Sequence, residues 1–498
     1  MITEERPVSR LSSVPSLSNR QIVYAILGVA FAVFGYGIAG QFHLDDYTLF
    51  GDRAITSPSG WWRVWSPLQT RPLTYLTFWL NYQIGGRNPI GYHAVSIALH
   101  LLAVWLLWRT LDRLLSARAA LIATAIFALH PIQAEPVNYI FERATVLATV
   151  FCLLSVKPWM EDRYWTAAGW FFLALLSKEE CAAFPLILLM LKPVWLPAAG
   201  MLALSLAAGG RVIAALAVLG IGGAGPGTGI APLDYLCTQG VVVLRYLRML
   251  VLPYGFSIDP DPHLVRDWHG WAAWAAILLL AGLLWKFHPE GKWFAAGLVL
   301  LAPSSTIFPA ADLAADRRLY LPMVALAAFA GLLLARLPRV PLLPVLIAGL
   351  GVLSLLRTEV WRTELALWSE AVEQAPTKVR ALLHLARASD PAAAVDILDY
   401  AESLAPGNPE LPEEKGTRFL EAGLPNLALR EFDRELAMRP GYLPAMNNRG
   451  IALSLAGRRD EAVASFEQVL AIDPCWSSAR SNLAKLGVTS KIRPCAQP

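Results

Sequence analysis

Two adjacent carboxylates follow the first long apolar run of this chain. The run from Ile22 to Gly40 is uncharged, and Asp45 and Asp46 come shortly after it. Carboxylate oxygens are ligands of hard divalent cations, although two adjacent acids alone make an incomplete site. Adjacent like charges also raise one another's pKa, so a protein places them beside a membrane only with compensation. The pair is therefore a candidate site, and the alternative is a solvated loop with two ordinary acids.

Composition divides the chain into two regions. Hydrophobic residues make up 56% of the 498 residues and charged residues 16%, and the mean hydropathy is +0.46. This charged share is well below that of a typical soluble protein. Apolar runs continue to about Leu356, and the rest of the chain is charged and helical in pattern. We predict an all-α protein with a cytoplasmic segment at residues 1–21, a polytopic membrane domain at 22–357 and a soluble domain at 358–498.

The distribution of Lys and Arg predicts the topology. Positive clusters such as Arg109–Arg118 mark cytoplasmic ends, which gives about eleven transmembrane helices and a cytoplasmic N-terminus. The polar segment 41–92 is rich in Trp and Tyr, so we expect interfacial helices there. We expect a half-buried or interfacial helix with both ends outside over Leu233–Pro253. An odd number of spans places the soluble domain outside the cytoplasm. The predicted spans are Ile22–Gly40, Ala94–Trp108, Ala119–Pro131, Ala144–Val156, Tyr164–Leu176, Ala182–Leu191, Pro197–Leu219, Trp271–Trp285, Trp293–Pro309, Leu319–Ala335 and Pro341–Leu356.

The same topology places charged residues from many loops on one outer face. Ionisable groups at membrane level usually mark function, which favours a single extracytoplasmic site over loops that simply need polar residues. The net charge of +4 is small for 498 residues, and the lack of a basic run argues against nucleic-acid binding. The charged residues on that face are Asp45, Asp46, Glu135, Lys178–Glu180, Asp259–Asp261, Arg317 and Arg318.

The soluble tail contains a 34-residue repeat. Small residues recur where helices would cross, and Pro closes each unit, which is the tetratricopeptide (TPR) signature. The concave face of such an α-solenoid binds peptides or proteins, and the alternatives are a rigid spacer or a dimerisation surface. Cys475 and Cys495 could form a disulfide if the tail lies in an oxidising compartment. The recurring pairs are Gly416 and Gly450, Gly423 and Gly457, Ala428 and Ala462, Phe432 and Phe466, and Pro440 and Pro474.

Short motifs are distributed over nearly the whole chain. They are Leu44-Asp-Asp-Tyr47, Arg71-Pro-Leu-Thr-Tyr-Leu-Thr-Phe78, Asn81-Tyr82, Gly91-Tyr-His93 with His100, His130-Pro131 with Glu135 and Arg143, Ser177-Lys-Glu179, Thr238-Gln239 with Arg245-Tyr-Leu-Arg248, and Arg317-Arg-Leu-Tyr-Leu-Pro322. In this order, and followed by the TPR tail, they resemble the transmembrane and TPR-repeat-containing protein O-mannosyltransferases and their bacterial relatives. That family belongs to the GT-C superfamily of polyprenyl-phosphate-sugar glycosyltransferases. Two positions depart from the pattern of the family. Asp316 stands where relatives tend to have Glu, and Glu180 stands where a Gly often follows the Lys-Glu pair.

The resemblance implies inverting transfer of a sugar, mannose or a related hexose, from a polyprenyl phosphate to a protein hydroxyl. A hydroxyl is a poor nucleophile, so a base must lie near it. The resemblance assigns this role to Asp46 with Asp45 beside it, and the sequence leaves open which of the two is the base. Asp45 could instead orient the acceptor or a divalent metal such as Mg or Mn.

The phosphate leaving group needs positive charge nearby. The resemblance implies Arg317, Arg318 and Lys178 in this role, unless Asp316–Arg317 and Lys178–Glu179 merely neutralise each other. We expect His130 to be a structural hydrogen bonder near the donor site. The other residues implied for donor binding are Arg143, Tyr320, Glu179 and Glu135.

The resemblance also implies the partners and the location. The donor would be a lipid in the membrane, and the TPR domain would present a protein acceptor on the periplasmic side of a bacterial inner membrane. Two alternatives remain open. The acceptor could be a lipid or a cell-envelope glycan, or the chain could be a non-enzymatic scaffold or transporter that recruits envelope proteins through its TPR domain.

Overall fold

A computed structural model describes residues 17–219, 228–306, 308–338 and 342–492. Regular secondary structure within these ranges is helical, which confirms the predicted all-α class. The chain forms two compact units. The first unit runs to Phe256 and resumes over Pro262–Arg362, and the second contains Ser257–Asp261 and the chain from Thr363 onward.

The first unit is a helical bundle whose helices are joined by short 3₁₀ turns. The 3₁₀ turns that matter for the site are Leu44–Phe50, Ile140–Glu142, Glu179–Ala183 and Asp316–Leu319. The α-helices are α1 Asn19–Gly35, α2 Arg53–Thr56, α3 Pro72–Gly85, α4 Pro89–Leu114, α5 Ala117–Leu129, α6 Ala134–Asn138, α7 Arg143–Met160, α8 Tyr164–Ser177, α9 Phe184–Leu191, α10 Trp195–Leu219, α11 Pro232–Val251, α12 Trp268–Phe287, α13 Gly291–Leu301, α14 Met323–Leu334 and α15 Leu342–Val360.

Several of these helices are suited to a membrane. Within the described residues, α4, α10, α12 and α15 are each long and apolar enough to cross a bilayer. A fifth span results if α5 and the segment Pro131–Asn138, which meet at a 48° bend, are counted together. Several apolar helices therefore make this a membrane protein, while the count of eleven spans and their orientation stay predictions.

Proline shortens two of the predicted spans. The helix expected over Trp293–Pro309 ends at Leu301, and a 3₁₀ turn that contains Pro303 follows it. The helix expected over Leu319–Ala335 begins only at Met323, directly after Pro322. Proline lacks an amide donor and clashes with the preceding helical turn, so helices tend to end before it or start just after it.

The first unit has two distinguishable ends. At one end, which we call the site end, Thr74 of α3 donates to the carbonyl of Ser177, the last residue of α8. At the opposite end, the far end, the Trp159 indole of α7 donates to the Lys192 carbonyl, which directly follows α9. Helices α4 and α7 both start at the site end. Arg143 at the start of α7 donates to the Tyr92 carbonyl near the start of α4 and also to the hydroxyl of Thr77, one turn after Thr74 on α3.

The second unit consists of consecutive helices that pack against their sequence neighbours. Gly416 lies against the ring of Phe432, and 34 residues later Gly450 lies against Phe466 in the same way. Cys475 is disulfide-bonded, and Cys495, its predicted partner, lies outside the described residues. The helices are α16 Glu364–Gln374, α17 Val379–Ala388, α18 Pro391–Leu404, α19 Glu410–Glu421, α20 Pro425–Met438, α21 Leu443–Leu455, α22 Arg459–Ile472 and α23 Ser477–Lys485.

Candidate functional site

The two adjacent aspartates lie in opposite environments. Asp46 is fully buried, and its two carboxylate oxygens accept the backbone N–H groups of His43 at 2.9 Å and Phe141 at 2.7 Å. Asp45 is exposed at the surface of the same 3₁₀ turn. The turn begins at Leu44, whose φ of +44° is unusual for a residue with a side chain. A strained turn therefore directs one carboxylate inward and the other outward.

Two opposing effects act on the charge of the buried Asp46. Burial raises the pKa of Asp46 to about 7, although the amides of His43 and Phe141 favour its charged form. Because its oxygens are already used by two backbone donors, Asp46 mainly fixes the turn against the segment around Phe141.

Tyr139 holds the exposed aspartate. Its hydroxyl donates to Oδ2 of Asp45 at 2.9 Å, and the Asp45 amide donates to the same hydroxyl at 3.2 Å. The Tyr139 ring is buried and stacks on Trp361, with ring centroids 5.9 Å apart. Burial and the charges of Asp45 and Asp46 raise the pKa of Tyr139 well above its ordinary value, so it is a neutral donor at physiological pH.

Glu142 joins two cations at the centre of the site. Its Oε1 pairs with the Arg317 guanidinium at 3.0 Å, and its Oε2 pairs with Nζ of Lys178 at 2.8 Å. Thr145 donates to the same Oε2 at 2.7 Å. Burial opposes the ionisation of Glu142, but Lys178 and Arg317 outweigh it and lower the pKa of Glu142 to about 2. Glu142 is therefore ionised, and Lys178 is buried with its charge compensated.

Further acids complete this network. Arg317 also contacts Glu135 at 3.0 Å and Asp312 at 3.3 Å. Lys178 lies 3.2 Å from Glu180. The network thus links the segment after α5 with the turns that precede α7, α9 and α14.

Glu179 pairs with a different cation. Arg71 donates from Nε and Nη2 to the two oxygens of Glu179, at 3.1 and 2.7 Å. Burial opposes ionisation, but the Arg71 charge prevails and lowers the pKa of Glu179 to about 2. This bidentate pair fastens the start of α3 to the turn that carries Lys178.

Two arginines at the site have neutral hydrogen-bond acceptors. Arg318 donates to the carbonyls of Asp312 and Leu313 and to the Tyr235 hydroxyl, at 2.7 to 3.3 Å. It also lines a narrow cavity together with Lys178. Arg143 is fully buried and donates to a ring of neutral acceptors. These are Ser96, Thr77, Asn81 and the Tyr92 carbonyl.

The structure places some predicted residues away from this network. The Tyr320 hydroxyl is buried 2.8 Å from Nδ1 of His100. His130 accepts the N–H of Ile132 at the start of a 3₁₀ turn, in a structural position. Asp259 belongs to the second unit.

The charged neighbours in sequence have different partners in space. Asp316 pairs with Arg245 at 2.6 Å, whereas Arg317 pairs with glutamates. In the same way, Lys178 pairs with Glu142 while Glu179 pairs with Arg71. Arg317 and Lys178 therefore share Glu142, an acid from a distant segment, in addition to the nearby acids Asp312 and Glu180.

Sequence reasoning missed Glu142, Tyr139 and the pairing of Arg71. Glu142 directly precedes Arg143 in the short turn between α6 and α7. This position between two helices was the only feature of the sequence that could have marked Glu142 as a site residue. Tyr139 carried no signal, because its role depends on contact with Asp45, 94 residues away.

The aspartate pair is a poor metal site. Both oxygens of Asp46 accept amide hydrogens, and one oxygen of Asp45 accepts the Tyr139 hydroxyl. Among the described residues, no group of three or more His, Cys, Asp or Glu side chains is arranged to hold a metal ion. The geometry therefore does not fit the divalent cation considered for Asp45 and Asp46.

Comparisons with known proteins connect the chain with O-mannosyltransferases. It is 40% identical over 99 residues to protein O-mannosyl-transferase Tmtc1 of Drosophila melanogaster, 42% over 101 residues to Tmtc2 of the same species, and 28% over 165 residues to human TMTC3. These alignments cover 19%, 20% and 29% of this chain, but only 12%, 11% and 17% of the relatives. No protein-family profile matches the chain.

Among solved structures, the chain is similar to the crystal structure of the MamA protein. The sequence identity is 22%, and the match covers 25% of this chain and 67% of the other with a TM-score of 0.20.

Proposed function

We propose that this protein is a membrane glycosyltransferase that moves a sugar, mannose or a related hexose, from a polyprenyl phosphate to hydroxyl groups of protein acceptors. The printed names of the partly aligned relatives support O-mannosyl transfer. The observation that carries the proposal is an exposed, oriented carboxylate at Asp45 with buried cations at the same end of the helices. The donor lipid, the GT-C classification and a periplasmic orientation in a bacterial inner membrane are parts of this proposal.

Asp45 is the proposed general base. It is exposed, so an acceptor hydroxyl can approach it, and the Tyr139 hydroxyl fixes its orientation. Asp46 is buried with both oxygens bonded to amides, which suits a positioning role. The acceptor oxygen attacks C1 of the sugar and forms the new glycosidic bond, and its proton passes to Asp45. The bond from C1 to the phosphate oxygen breaks, and the phosphate leaves with the electron pair.

Arg318 is the proposed partner of the leaving phosphate. Its acceptors are neutral, so its charge is available, whereas Arg317 and Lys178 share the charge of Glu142. Lys178 and Glu180 line the same cavity as Arg318, but they lie 3.2 Å apart and offset each other, so Arg318 is the proposed source of positive potential there. Positive charge at this position stabilises the negative charge that develops in the transition state. In this proposal Arg143 and Glu179 maintain the shape of the site.

The second unit is proposed to be a TPR array that presents the acceptor. The 34-residue repeat of the Gly–Phe contacts supports this fold, because Gly416 and Gly450 each let a helix approach a Phe ring closely. Such arrays bind extended peptides along their concave face.

The test of the base is a comparison of two aspartate variants in the full-length protein. Purified protein in nanodiscs receives a polyprenyl-phosphate mannose donor and a Ser/Thr peptide, and transfer is measured. Asp45→Asn should lower the rate roughly 10²- to 10⁴-fold. The control Asp162→Asn removes a carboxylate at the far end and should retain the parental rate. Transfer by Asp45→Asn at the parental rate would overturn the assignment.

The leaving-group assignment has its own test. Arg318→Gln should lower the transfer rate roughly 10²- to 10³-fold, because an electrostatic partner of the developing charge is lost. Arg163→Gln, which removes an exposed far-end guanidinium, is the matched control. Equal rates for both variants would contradict the role of Arg318.

A further inference from the structure

A second concave site lies at the far end of the first unit. It is a groove of about 420 Å³ between the ends of α4, α7 and α8. Its wall is largely apolar and includes Trp105, Leu154, Met160 and Trp170. Trp105 and Met160 are more than a third exposed, although each is a large apolar side chain. We call this the far-end groove.

Three cations line the far-end groove. Arg109 and Arg113 lie near the end of α4, and Lys157 lies in the last turn of α7. All three side chains are exposed. Lys157 lies 3.8 Å from Glu161, but an ion pair between exposed side chains is weak because water screens both charges. The Arg109 guanidinium lies over the ring of Trp105, 5.6 Å from its centroid.

A second cavity continues from the same arginines. It measures about 440 Å³, shares Arg109 and Arg113 with the far-end groove, and includes Arg20 and Asp112. Ser18 and Asn19 also line it, so its lining is much more polar than that of the groove. Arg109 and Arg113 therefore separate an apolar space from a polar one.

The far-end groove is remote from the candidate active site. Tyr92 lies at the site end of α4, and Arg109 follows seventeen residues later on the same helix. A rise of 1.5 Å per residue separates them by roughly 26 Å, close to the hydrocarbon thickness of a bilayer. The groove therefore lies at the opposite membrane surface, where it does not meet the substrates of the proposed reaction.

We propose that the far-end groove binds a glycerophospholipid with an anionic headgroup. An acyl chain would pack against Trp105, Leu154 and Trp170, and the phosphate would lie beside Arg109 and Arg113. Basic pockets between membrane helices on the cytoplasmic side are suited to anionic headgroups. The polar cavity near Arg20 leaves space for the rest of the headgroup. A soluble anion would make no contact with the apolar wall. A zwitterionic lipid carries no net charge, so its attraction to the three cations would be weaker.

The test measures lipid binding by the full-length protein. Protein in detergent is titrated with phosphatidylglycerol or with phosphatidylcholine of the same acyl chains, and native mass spectrometry counts the bound lipid. We expect saturable binding that prefers phosphatidylglycerol. The double variant Arg109→Gln, Arg113→Gln should weaken it roughly thirtyfold. The matched control Arg163→Gln, Lys192→Gln removes the same charge at the same end and should bind as the parent does.

Two further arms separate a lipid from a free anion. Leu154→Trp places a larger side chain in the apolar part of the groove and leaves the three cations unchanged. It should also weaken phosphatidylglycerol binding at least tenfold. Inorganic phosphate at the same concentration should not displace the lipid. The proposal would be overturned if the two lipids bound equally or if both double variants lost the same affinity. It would also be overturned if Leu154→Trp bound phosphatidylglycerol as the parent does, or if phosphate displaced the lipid. Circular dichroism of each variant establishes that it is folded.

Discussion

The hydroxyl of Tyr139 donates to Oδ2 of Asp45 over 2.9 Å and accepts the Asp45 amide over 3.2 Å. One phenol therefore fixes both the side chain and the backbone of the exposed aspartate. The Tyr139 ring itself is fixed by its stacking on Trp361. The orientation of Asp45 thus depends on a residue from a distant part of the chain.

Tyr139→Phe should reduce sugar transfer while the fold is retained. The variant keeps the ring that stacks on Trp361 but removes the hydrogen bond that orients Asp45. A hydrogen bond to a charged group contributes about 1.5–3 kcal/mol, so a loss of about tenfold or more in kcat is expected. Single-turnover transfer to a peptide measures it. Tyr164→Phe, which removes a hydroxyl bonded to the far-end Asp162, is the control. A parental rate for Tyr139→Phe would argue against this positioning role.

Glu142→Gln should destabilise the first unit strongly. The substitution leaves buried Lys178 and Arg317 without the carboxylate that joins them. Breaking a buried pair on one side costs about 3–5 kcal/mol. The thermal unfolding of detergent-solubilised protein measures the effect. Glu161→Gln, an exposed glutamate beside Lys157, should cost about 0–1 kcal/mol.

The same residue predicts a pH dependence. The pKa of Glu142 is about 2 in the folded protein, below its ordinary value of 4.5. Its stabilising effect is therefore fully present above pH 4.5 and is lost as the pH falls towards 2. The parent should lose stability in this window, and Glu142→Gln should lose less. Parallel acid profiles for the two proteins would show that Glu142 is not the source.

The sequence predicted the features that depend on local pattern. The repeats of the tail and the apolar runs were visible because their contacts are close in sequence, as between Gly450 and Phe466. The network around Glu142 was not visible, since it combines segments that the chain order keeps apart. The different environments of Asp45 and Asp46 depend on the backbone at Leu44 and on the amide of Phe141, 95 residues from Asp46. Adjacent acids look equivalent until such contacts are known.

Glu435 should make the second unit sensitive to pH. It is fully buried beside the carboxyl group of Glu413, and Arg439 lies 3.3 Å away. Burial and the neighbouring Glu413 raise its pKa to about 7 from 4.5, in spite of Arg439. The folded state thus binds the proton more tightly than the unfolded state, so stability should fall as the pH rises from about 4.5 through 7.

Hydrogen exchange of the full-length protein can detect this. Protection of α19 and α20, corrected for the intrinsic pH dependence of exchange, should decrease between pH 5 and pH 8. Glu435→Gln should remove the decrease, while Glu461→Gln, which replaces an exposed partner of Arg458, should preserve it. A decrease that persists in Glu435→Gln would assign the effect to another group.

The packing of the repeats makes a last prediction. A methyl group on Gly450 would lie 2.6 Å from Cε1 of Phe466, closer than any ordinary contact, and the equivalent distance from Gly416 to Phe432 is 2.7 Å. Gly450→Ala should therefore destabilise its helix pair by about 1–3 kcal/mol. Gly407→Ala, whose methyl group would meet open space, should change stability by about 0.5 kcal/mol or less.

A second substitution shows whether the steric contact is the cause. Phe466→Leu removes the ring edge that the new methyl group would strike, so Gly450→Ala should cost clearly less in that background than in the parent. The difference between the two backgrounds is the coupling energy of the pair, which for residues in contact is about 0.5–3 kcal/mol. Hydrogen exchange of α21 and α22 measures it. If the two costs are equal, the glycine is needed for another reason, and the close Gly–Phe crossing does not stabilise the repeat.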